Sequence, residues 1–210
     1  MDAFINALFR FVVAWRNTIV RLFQIFYVLQ LVFLYFEYRV FVLLQGNYDL
    51  FYSLGKKCAE AAIICFILTT IPGMARRYGI SHKFISILMM FRRYIGIASF
   101  MFVINHLSAV WLFSSIGMGG FFLPTRGFEV FGLIAAVLLF FLFITSNDFS
   151  VKWLGDWWNK IHALTYVTMW IITLHVMFQG RLAWSALIGA ASIAELASFI
   201  SAKKRRTAIS

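Results

Sequence analysis

Long apolar runs, separated by short polar or basic segments, dominate this sequence. A helix needs about 20 mostly apolar residues to cross the hydrocarbon core of a bilayer, and most of the runs approach that length. They lack the short alternation of apolar and polar residues that marks the strands of a membrane β-barrel. The pattern therefore predicts an all-α fold, a six-transmembrane-helix bundle with spans at residues 20–44, 58–71, 92–113, 128–143, 160–178 and 182–200.

The two ends of the chain differ from the predicted spans. Residues 2–16 mix Phe, Leu and Trp with Arg, which is typical of a helix that lies in the membrane interface. Four consecutive basic residues stand near the C-terminus. We therefore predict a single membrane domain over 1–210, divided into an interfacial lead-in at 1–19, the helix bundle at 20–202 and a basic tail at 203–210.

Local sequence signals mark the connections between spans. Pro72 and Gly73 predict the end of the second span, because proline disrupts the interior of a helix. Trp153, Trp157 and Trp158 precede the fifth span. Tryptophan is enriched where membrane meets water, so these three predict an aromatic belt.

The composition agrees with a membrane protein. The chain of 210 residues is 62% hydrophobic and 19% aromatic, with only 13% charged residues. A soluble domain of this size could not bury so much apolar surface in one core. Cys58 and Cys65 lie seven residues apart in one predicted helix, which separates their Cα atoms by about 10 Å, too far for a disulfide. Both are interpreted as small buried residues.

The net charge of +11 follows from where the basic residues stand. Six spans place both termini on one side, and 14 of the 19 Lys and Arg residues fall on that side. Cytoplasmic loops are enriched in Lys and Arg, so both termini are predicted to be cytoplasmic, and no nucleic-acid partner is expected. The 14 residues are Arg10, Arg16, Arg21, Arg76, Arg77, Lys83, Arg92, Arg93, Lys152, Lys160, Lys203, Lys204, Arg205 and Arg206.

The first predicted span contains two ionisable residues, Glu37 and Arg39. Such residues are costly in hydrocarbon. We expect them to pair with other groups or to face the lipid headgroups, and structural pairing is the favoured interpretation.

Three histidines lie within or at the edge of predicted spans: His106, His162 and His175. Intramembrane ionisable residues often mark functional sites, and neutral imidazole is an axial ligand of haem. His106 in the third span and His175 in the fifth both fall in the outer half of the membrane, where they could face one another. His162 lies about 20 Å further in, a separation that suits two stacked haems.

Other roles stay open for these histidines. A histidine in a span can form a hydrogen bond to a neighbouring helix, which suits a single residue equally well. A zinc site needs further ligands, yet the two cysteines lie on another predicted helix and carboxylates are scarce. Thirteen residues also rotate an ideal helix by roughly 220°, so His162 and His175 do not share one face of a straight helix.

Two groups of residues carry a family resemblance. The first is Arg92-Arg93-Tyr94-Ile95-Gly96, followed by Phe100 and His106. The second is Thr145-Ser146, Leu154-Gly155, Trp158, Ile161, His162, Tyr166 and His175, with weaker matches at Gly55, Pro72, Ala75 and Arg76. Over roughly residues 55–178 the chain resembles the ferric-reductase-like transmembrane family. Within it, the chain is most similar to the haem-binding membrane subunits of methionine sulfoxide reductase systems, the MsrQ-like branch.

The resemblance implies a set of cofactor-binding residues. His106 and His175 would be the axial pair of an outer haem b, and His162 a ligand of an inner haem, which gives one haem or two. Arg92 stands on the third span where the second histidine of an inner pair would be expected. Arg92 and Arg93 are candidates to hold haem propionates or a flavin phosphate, although topological charge explains them equally well.

The resemblance also implies electron transfer across a bacterial inner membrane. Because the sequence shows no Gly-rich nucleotide-binding motif, a cytoplasmic reductase carrying FMN, or the quinone pool, would supply the electrons. A molybdenum-containing methionine sulfoxide reductase outside the membrane would accept them, at the outer loop 114–127. Such a chain is an electron-transfer subunit more than an enzyme in itself. The alternatives are a self-contained ferric or oxygen reductase and a non-redox scaffold or transporter whose histidines are packing residues.

Overall fold

The computed structural model describes residues 2–43, 48–112 and 126–207. Within these ranges the chain forms helices throughout, joined by short turns, and the predicted all-α fold is confirmed. The loop predicted as a docking surface, 114–127, lies almost entirely outside the described residues. The α-helices are α1 (Asp2–Ala14), α2 (Arg16–Leu43), α3 (Tyr48–Tyr78), α4 (Lys83–Leu107), α5 (Gly127–Ile144), α6 (Asp148–Leu154), α7 (Asp156–Phe178) and α8 (Leu182–Thr207).

Six helices in the described ranges are long and apolar enough to cross a membrane, as predicted. Their boundaries differ from the predicted ones mainly at the N-terminal ends, because polar residues extend several of the helices beyond their apolar segments. The candidate spans are Arg16–Leu43, Asp49–Tyr78, Lys83–Trp111, Gly127–Ile144, Asp156–Phe178 and Leu182–Arg205.

The expected helix end at Pro72 is wrong. α3 continues through Pro72 and Gly73 to Tyr78. Proline has no backbone N–H and so removes one hydrogen bond of the helix, but helices in membranes tolerate this loss where neighbouring helices and Ser or Thr side chains compensate.

The first lead-in segment forms a helix of its own. α1 ends at Ala14, and α2 begins at Arg16, four residues before the predicted start of the first span. Phe4 and Phe11 of α1 are exposed, as is Trp15 at the junction. Large exposed apolar residues on a short helix suit the predicted position in the membrane interface.

The described residues divide into two compact units. The first takes its residues from 1–66 and 86–123, and the second from 67–85 and 124–210. The prediction of a single membrane domain over 1–210 stays a prediction.

In the first unit, α2 contacts α4 between Phe23 and Gln30. The rings of Phe23 and Phe91 stack with their centroids 6.1 Å apart, and Asn105 Nδ2 donates to Gln30 Oε1 further along. The contact positions rise together on both helices, so α2 and α4 run parallel. The first span therefore packs on the third, and its residues Phe23 and Gln30 face α4.

In the second unit, small and hydroxyl side chains bring α7 and α8 together. The hydroxyl oxygens of Thr173 and Ser192 lie 3.1 Å apart, and a Cβ at Gly189 would meet Thr173 Cγ2 at 3.6 Å, an ordinary contact. Small residues at helix interfaces are typical of membrane proteins, because close packing replaces the hydrophobic effect there.

The turn between α6 and α7 requires a glycine. Gly155 has φ +51°, a conformation that side chains disfavour. On the other side of α6, Asn147 Oδ1 accepts a 2.7 Å hydrogen bond from the backbone N–H of Ser150 and caps the helix. The turn at Gly155 determines where α7 begins, and α7 is the helix that carries His162 and His175.

Candidate functional site

His106 on α4 is held by the backbone of α3. Its Nδ1 lies 2.9 Å from the carbonyl oxygen of Gly55. A carbonyl only accepts, so Nδ1 carries the proton and the ring's lone pair is on Nε2. This arrangement, in which one ring nitrogen donates to a carbonyl, orients metal-ligating histidines and fixes their tautomer.

The backbone around His106 is itself unusual. α4 ends at Leu107 and continues as a π-helical turn, Ser108–Leu112. Such turns are rare and frequently lie at functional sites. Gly55 permits the approach of α3 to this turn, because a Cβ at Gly55 would lie 2.8 Å from Val110 Cγ1 and 3.0 Å from Ala109 Cβ.

His175 on α7 is held in the same way by α5. Its Nδ1 lies 2.6 Å from the carbonyl oxygen of Phe128, which again places the ring's lone pair on Nε2. Gln179 Nε2 lies 3.5 Å from that Nε2. The imidazole lies against Gly132, where a Cβ would be only 2.7 Å from Cε1.

His162 is bonded differently from the other two. Its Nε2 lies 3.1 Å from the hydroxyl of Thr145, and that hydroxyl donates its single proton to the carbonyl of Phe141, 2.7 Å away. Thr145 must therefore accept from His162, which places the proton on Nε2 and the lone pair on Nδ1. The ring also stacks on Trp158, with centroids 4.1 Å apart.

Trp158 is half-buried and contacts both His162 and Thr145. Its indole Nε1 donates to the carbonyl of Thr145 at 3.0 Å. Trp153 and Trp157 are 75% and 64% exposed, as residues of a membrane-interface belt should be. Three positions of the sequence motif, Thr145, Trp158 and His162, thus meet in one place.

His106 and His175, each taken by itself, have the chemistry of an axial haem ligand. In each ring Nδ1 is held by a backbone carbonyl, which leaves Nε2 as the basic nitrogen. A glycine of the neighbouring helix lies beside each histidine or the turn next to it, where a Cβ would be crowded. His106 lies in the first unit and His175 in the second, so their predicted pairing stays a prediction. His162 would need to exchange its bond to Thr145 before Nε2 could bind iron.

Arg92 and Arg93 lie on α4, partly buried. Fourteen residues separate Arg92 from His106, which places the two within about 40° of each other on the helix surface and about 21 Å apart along its axis. Their predicted roles toward haem propionates or a flavin phosphate stay predictions.

Arg77 is committed to neighbouring side chains. Its guanidinium pairs with Glu195 Oε1, donates to Ser198 Oγ at 2.7 Å and lies over the ring of Phe199 at 4.0 Å. The Arg77 and Glu195 side chains are 12% and 4% exposed. The network ties α3 to α8 within the second unit.

The sequence-based predictions did not include the ion pair of Glu195, although Glu195 is the single acidic residue of its span. The rule that intramembrane carboxylates have partners would have identified it. Gly132 and Phe128 could not have been found in that way. Phe128 acts through its backbone carbonyl, and Gly132 acts through the side chain that it lacks, so neither role depends on a polar residue type.

Glu37 departs from its prediction. It is buried, and among the described residues neither of its carboxylate oxygens has a hydrogen-bond partner. The expected pairing is therefore wrong in the described part of the chain. Arg39, in contrast, is exposed, as a residue facing headgroups would be.

The other candidate metal ligands of the described residues do not form a cluster. Over residues 2–43, 48–112 and 126–207, no three His, Cys, Asp or Glu side chains come together to hold a metal ion. Cys58 and Cys65 are free thiols on α3, and both are half-buried where buried residues were expected. His82 lies exposed in the connector before α4, where its Nδ1 accepts from the N–H of Phe84 at 3.2 Å.

Comparison with known proteins identifies similar chains in three bacteria, each named protein-methionine-sulfoxide reductase heme-binding subunit MsrQ. The protein of Rhizobium meliloti is 35% identical over 91 residues, 40% of this chain and 41% of the relative. Those of Brucella anthropi and Agrobacterium fabrum are each 31% identical, over 100 and 99 residues, which cover 46% and 45% of this chain and 44% and 45% of the relatives.

The chain thus matches less than half of the length of these relatives. No protein-family model and no solved structure matches it. The resemblance to MsrQ-like subunits stated from the sequence is confirmed by these relatives.

Proposed function

We propose that this chain is a multi-pass membrane subunit that binds haem b and transfers electrons across a bacterial inner membrane. The observation that carries the proposal is the shared geometry of His106 and His175, in each of which Nδ1 is bonded to a backbone carbonyl and Nε2 is left as the basic nitrogen. The names of the similar MsrQ proteins, which are heme-binding subunits, support the same cofactor.

Each residue has a defined part in this proposal. His106 and His175 are the axial ligands, oriented by Gly55 and Phe128. The haem supplies a one-electron carrier within the membrane. The protein residues orient the two imidazoles and exclude water, and Arg92 contributes positive charge that attracts anionic groups.

The donor and acceptor belong to the proposal as well. Electrons would enter from a cytoplasmic flavin reductase or from the quinone pool, and leave to an extracytoplasmic methionine sulfoxide reductase. The excess of basic residues on one side supports cytoplasmic termini, and the names of the relatives support a methionine sulfoxide reductase as the partner.

Single substitutions of the two histidines test the haem site. Purified wild-type protein should show a Soret band and a dithionite-reducible α-band. His106→Ala and His175→Ala each remove one axial ligand, so each should abolish the low-spin signal. His82→Ala is the matched control, because His82 is exposed in the connector, and it should keep the wild-type spectrum.

The same spectra discriminate the alternatives. Protein without any Soret band after expression with ample haem would contradict the proposal and favour a non-redox scaffold or transporter. Low-spin spectra in both histidine variants would show that other residues ligate the iron. Rapid oxidation of the reduced protein by ferric chelates or oxygen alone, without a partner protein, would favour a self-contained reductase.

A further inference from the structure

Glu37 is a buried carboxyl group inside a membrane-spanning helix. Only 3% of its surface is exposed, and within the described residues neither Oε1 nor Oε2 accepts a hydrogen bond. An ionised carboxylate without a partner is very costly to bury, whereas the neutral acid costs far less. An ionisable residue kept at such a position is by default a functional-site candidate.

The packing of α2 on α4 gives the depth of Glu37 in the first unit. Gln30 and Phe41, on either side of Glu37 in the sequence, reach α4 at two levels. Gln30 accepts a hydrogen bond from Asn105, and Phe41 shares a buried apolar cluster with Ala109. Glu37 lies between Gln30 and Phe41 on α2, and His106 lies between their partners Asn105 and Ala109, so we place Glu37 at a depth similar to that of His106.

Among the described residues, α3 and α4 supply the titratable groups considered near Glu37. From α3, Cys58 lies within electrostatic range of the carboxyl group. The neighbouring charged residues of α3 are occupied with each other, since Lys57 Nζ and Glu60 Oε2 pair at 3.0 Å on the surface. From α4, His106 is the titratable residue at this level. Iron bound by His106 would add a positive charge to these surroundings.

We propose that Glu37 is a proton-binding site whose occupancy follows the redox state of the haem held by His106. The inference rests on the proposed function, which places haem at that histidine. In the oxidised state, the positive charge of the ferric haem favours the Glu37 carboxylate. One-electron reduction of a bound haem by the donor would remove that charge, and Glu37 would then take up one proton from water. Electron transfer to the acceptor reverses both changes.

A redox titration at a series of pH values tests this coupling in the full chain, reconstituted in lipid nanodiscs. One proton per electron lowers the midpoint potential by up to about 59 mV for each tenfold fall in proton concentration. Glu37→Gln keeps the size and polarity of the side chain but cannot exchange the proton, so its midpoint potential should become nearly independent of pH. Glu60→Gln, on the surface of α3, should keep the wild-type slope.

Infrared difference spectra between the oxidised and dithionite-reduced protein give a second readout. The wild type should gain a protonated-carboxyl C=O band on reduction, sensitive to D₂O and absent from Glu37→Gln. If Glu37→Gln does not fold, Glu37→Asp should retain the band at a shifted frequency. A wild-type protein with normal haem spectra but no such band, or a Glu37→Gln protein with the wild-type pH slope, would overturn the inference. Absence of haem from the wild type would instead overturn the proposed function.

Discussion

Gly132→Ala is the substitution that probes the His175 site most directly without removing a ligand. A Cβ at this position would lie 2.7 Å from Cε1 and 2.8 Å from Nδ1 of the imidazole. Carbon atoms in contact prefer a separation of about 3.5–4.0 Å. The ring of His175 would therefore have to move by about 1 Å.

The energetic effect follows from that displacement. The bond from Nδ1 to the Phe128 carbonyl is 2.6 Å long, and a 1 Å shift would carry it beyond the usual limit of about 3.2 Å. Overpacking of a tight site costs roughly 1–3 kcal/mol. Losing the partner that orients a metal-ligating histidine typically lowers metal affinity by about 10–100-fold. Haem affinity should fall by that factor.

The assay measures the haem-to-protein ratio by pyridine haemochrome, together with haem dissociation into excess apomyoglobin. Gly132→Ala should lose haem faster than the wild type and show a weakened low-spin spectrum. Gly189→Ala is the matched control on α8, since its Cβ would meet Thr173 Cγ2 at an ordinary 3.6 Å. Alanine also favours a helix over glycine by about 1 kcal/mol, so the control should be at least as stable as the wild type.

Equal haem retention in the two glycine variants would refute the reasoning. It would mean either that His175 does not ligate haem or that its orientation by the Phe128 carbonyl is irrelevant to ligation. The spectrum of His175→Ala separates these explanations, because only the first predicts an unchanged low-spin signal.

Three further predictions concern topology, stability and the third histidine. Cysteines introduced as Thr207→Cys and Arg126→Cys should be labelled by membrane-impermeant reagents from the cytoplasmic and outer sides respectively, and the reverse pattern would contradict the assigned orientation. Arg77→Met leaves the carboxylate of Glu195 buried without its cation, so unfolding in detergent, followed by circular dichroism, should show a loss of about 3–5 kcal/mol. Adding Glu195→Gln should recover part of that loss, and no recovery would show that the pair is not the source. His162→Ala should lower thermal stability but keep the haem-to-protein ratio, whereas a loss of half the haem would identify an inner ligand.

Hydropathy predicted the six spans because burial in lipid requires long apolar helices, whatever the tertiary packing. It did not predict the helix ends. Pro72 shows why: in water the lost hydrogen bond favours a helix end, but inside a bundle the neighbouring helices allow α3 to continue past it. Polar residues at the starts of spans likewise join a helix once the apolar segment is fixed.

The histidines could be identified from sequence because an imidazole in hydrocarbon is costly wherever it points. Their orientation could not, since the acceptors are backbone carbonyls of Gly55 and Phe128, whose positions depend on how helices pack. Glu37 also shows that residue type does not determine the contacts of a buried polar group. Its residue type predicted a partner, and the packing of α2 left it buried without one among the described residues.

The hydrogen bonds of the three histidines assign them different chemistry. A proton on Nδ1 of His106 and His175 makes Nε2 the basic atom, at the tip of the ring, where an iron can be reached without displacing the backbone. At His162 the acceptor Thr145 holds the proton on Nε2, and the stacked Trp158 restrains the ring in that orientation. Ligation through His162 would cost that hydrogen bond, about 0.5–1.5 kcal/mol, and part of a stacking interaction of similar size. Ligation through Nε2 of His175 would displace only the long contact from Gln179 Nε2, at 3.5 Å, so haem binding costs less at His175 than at His162.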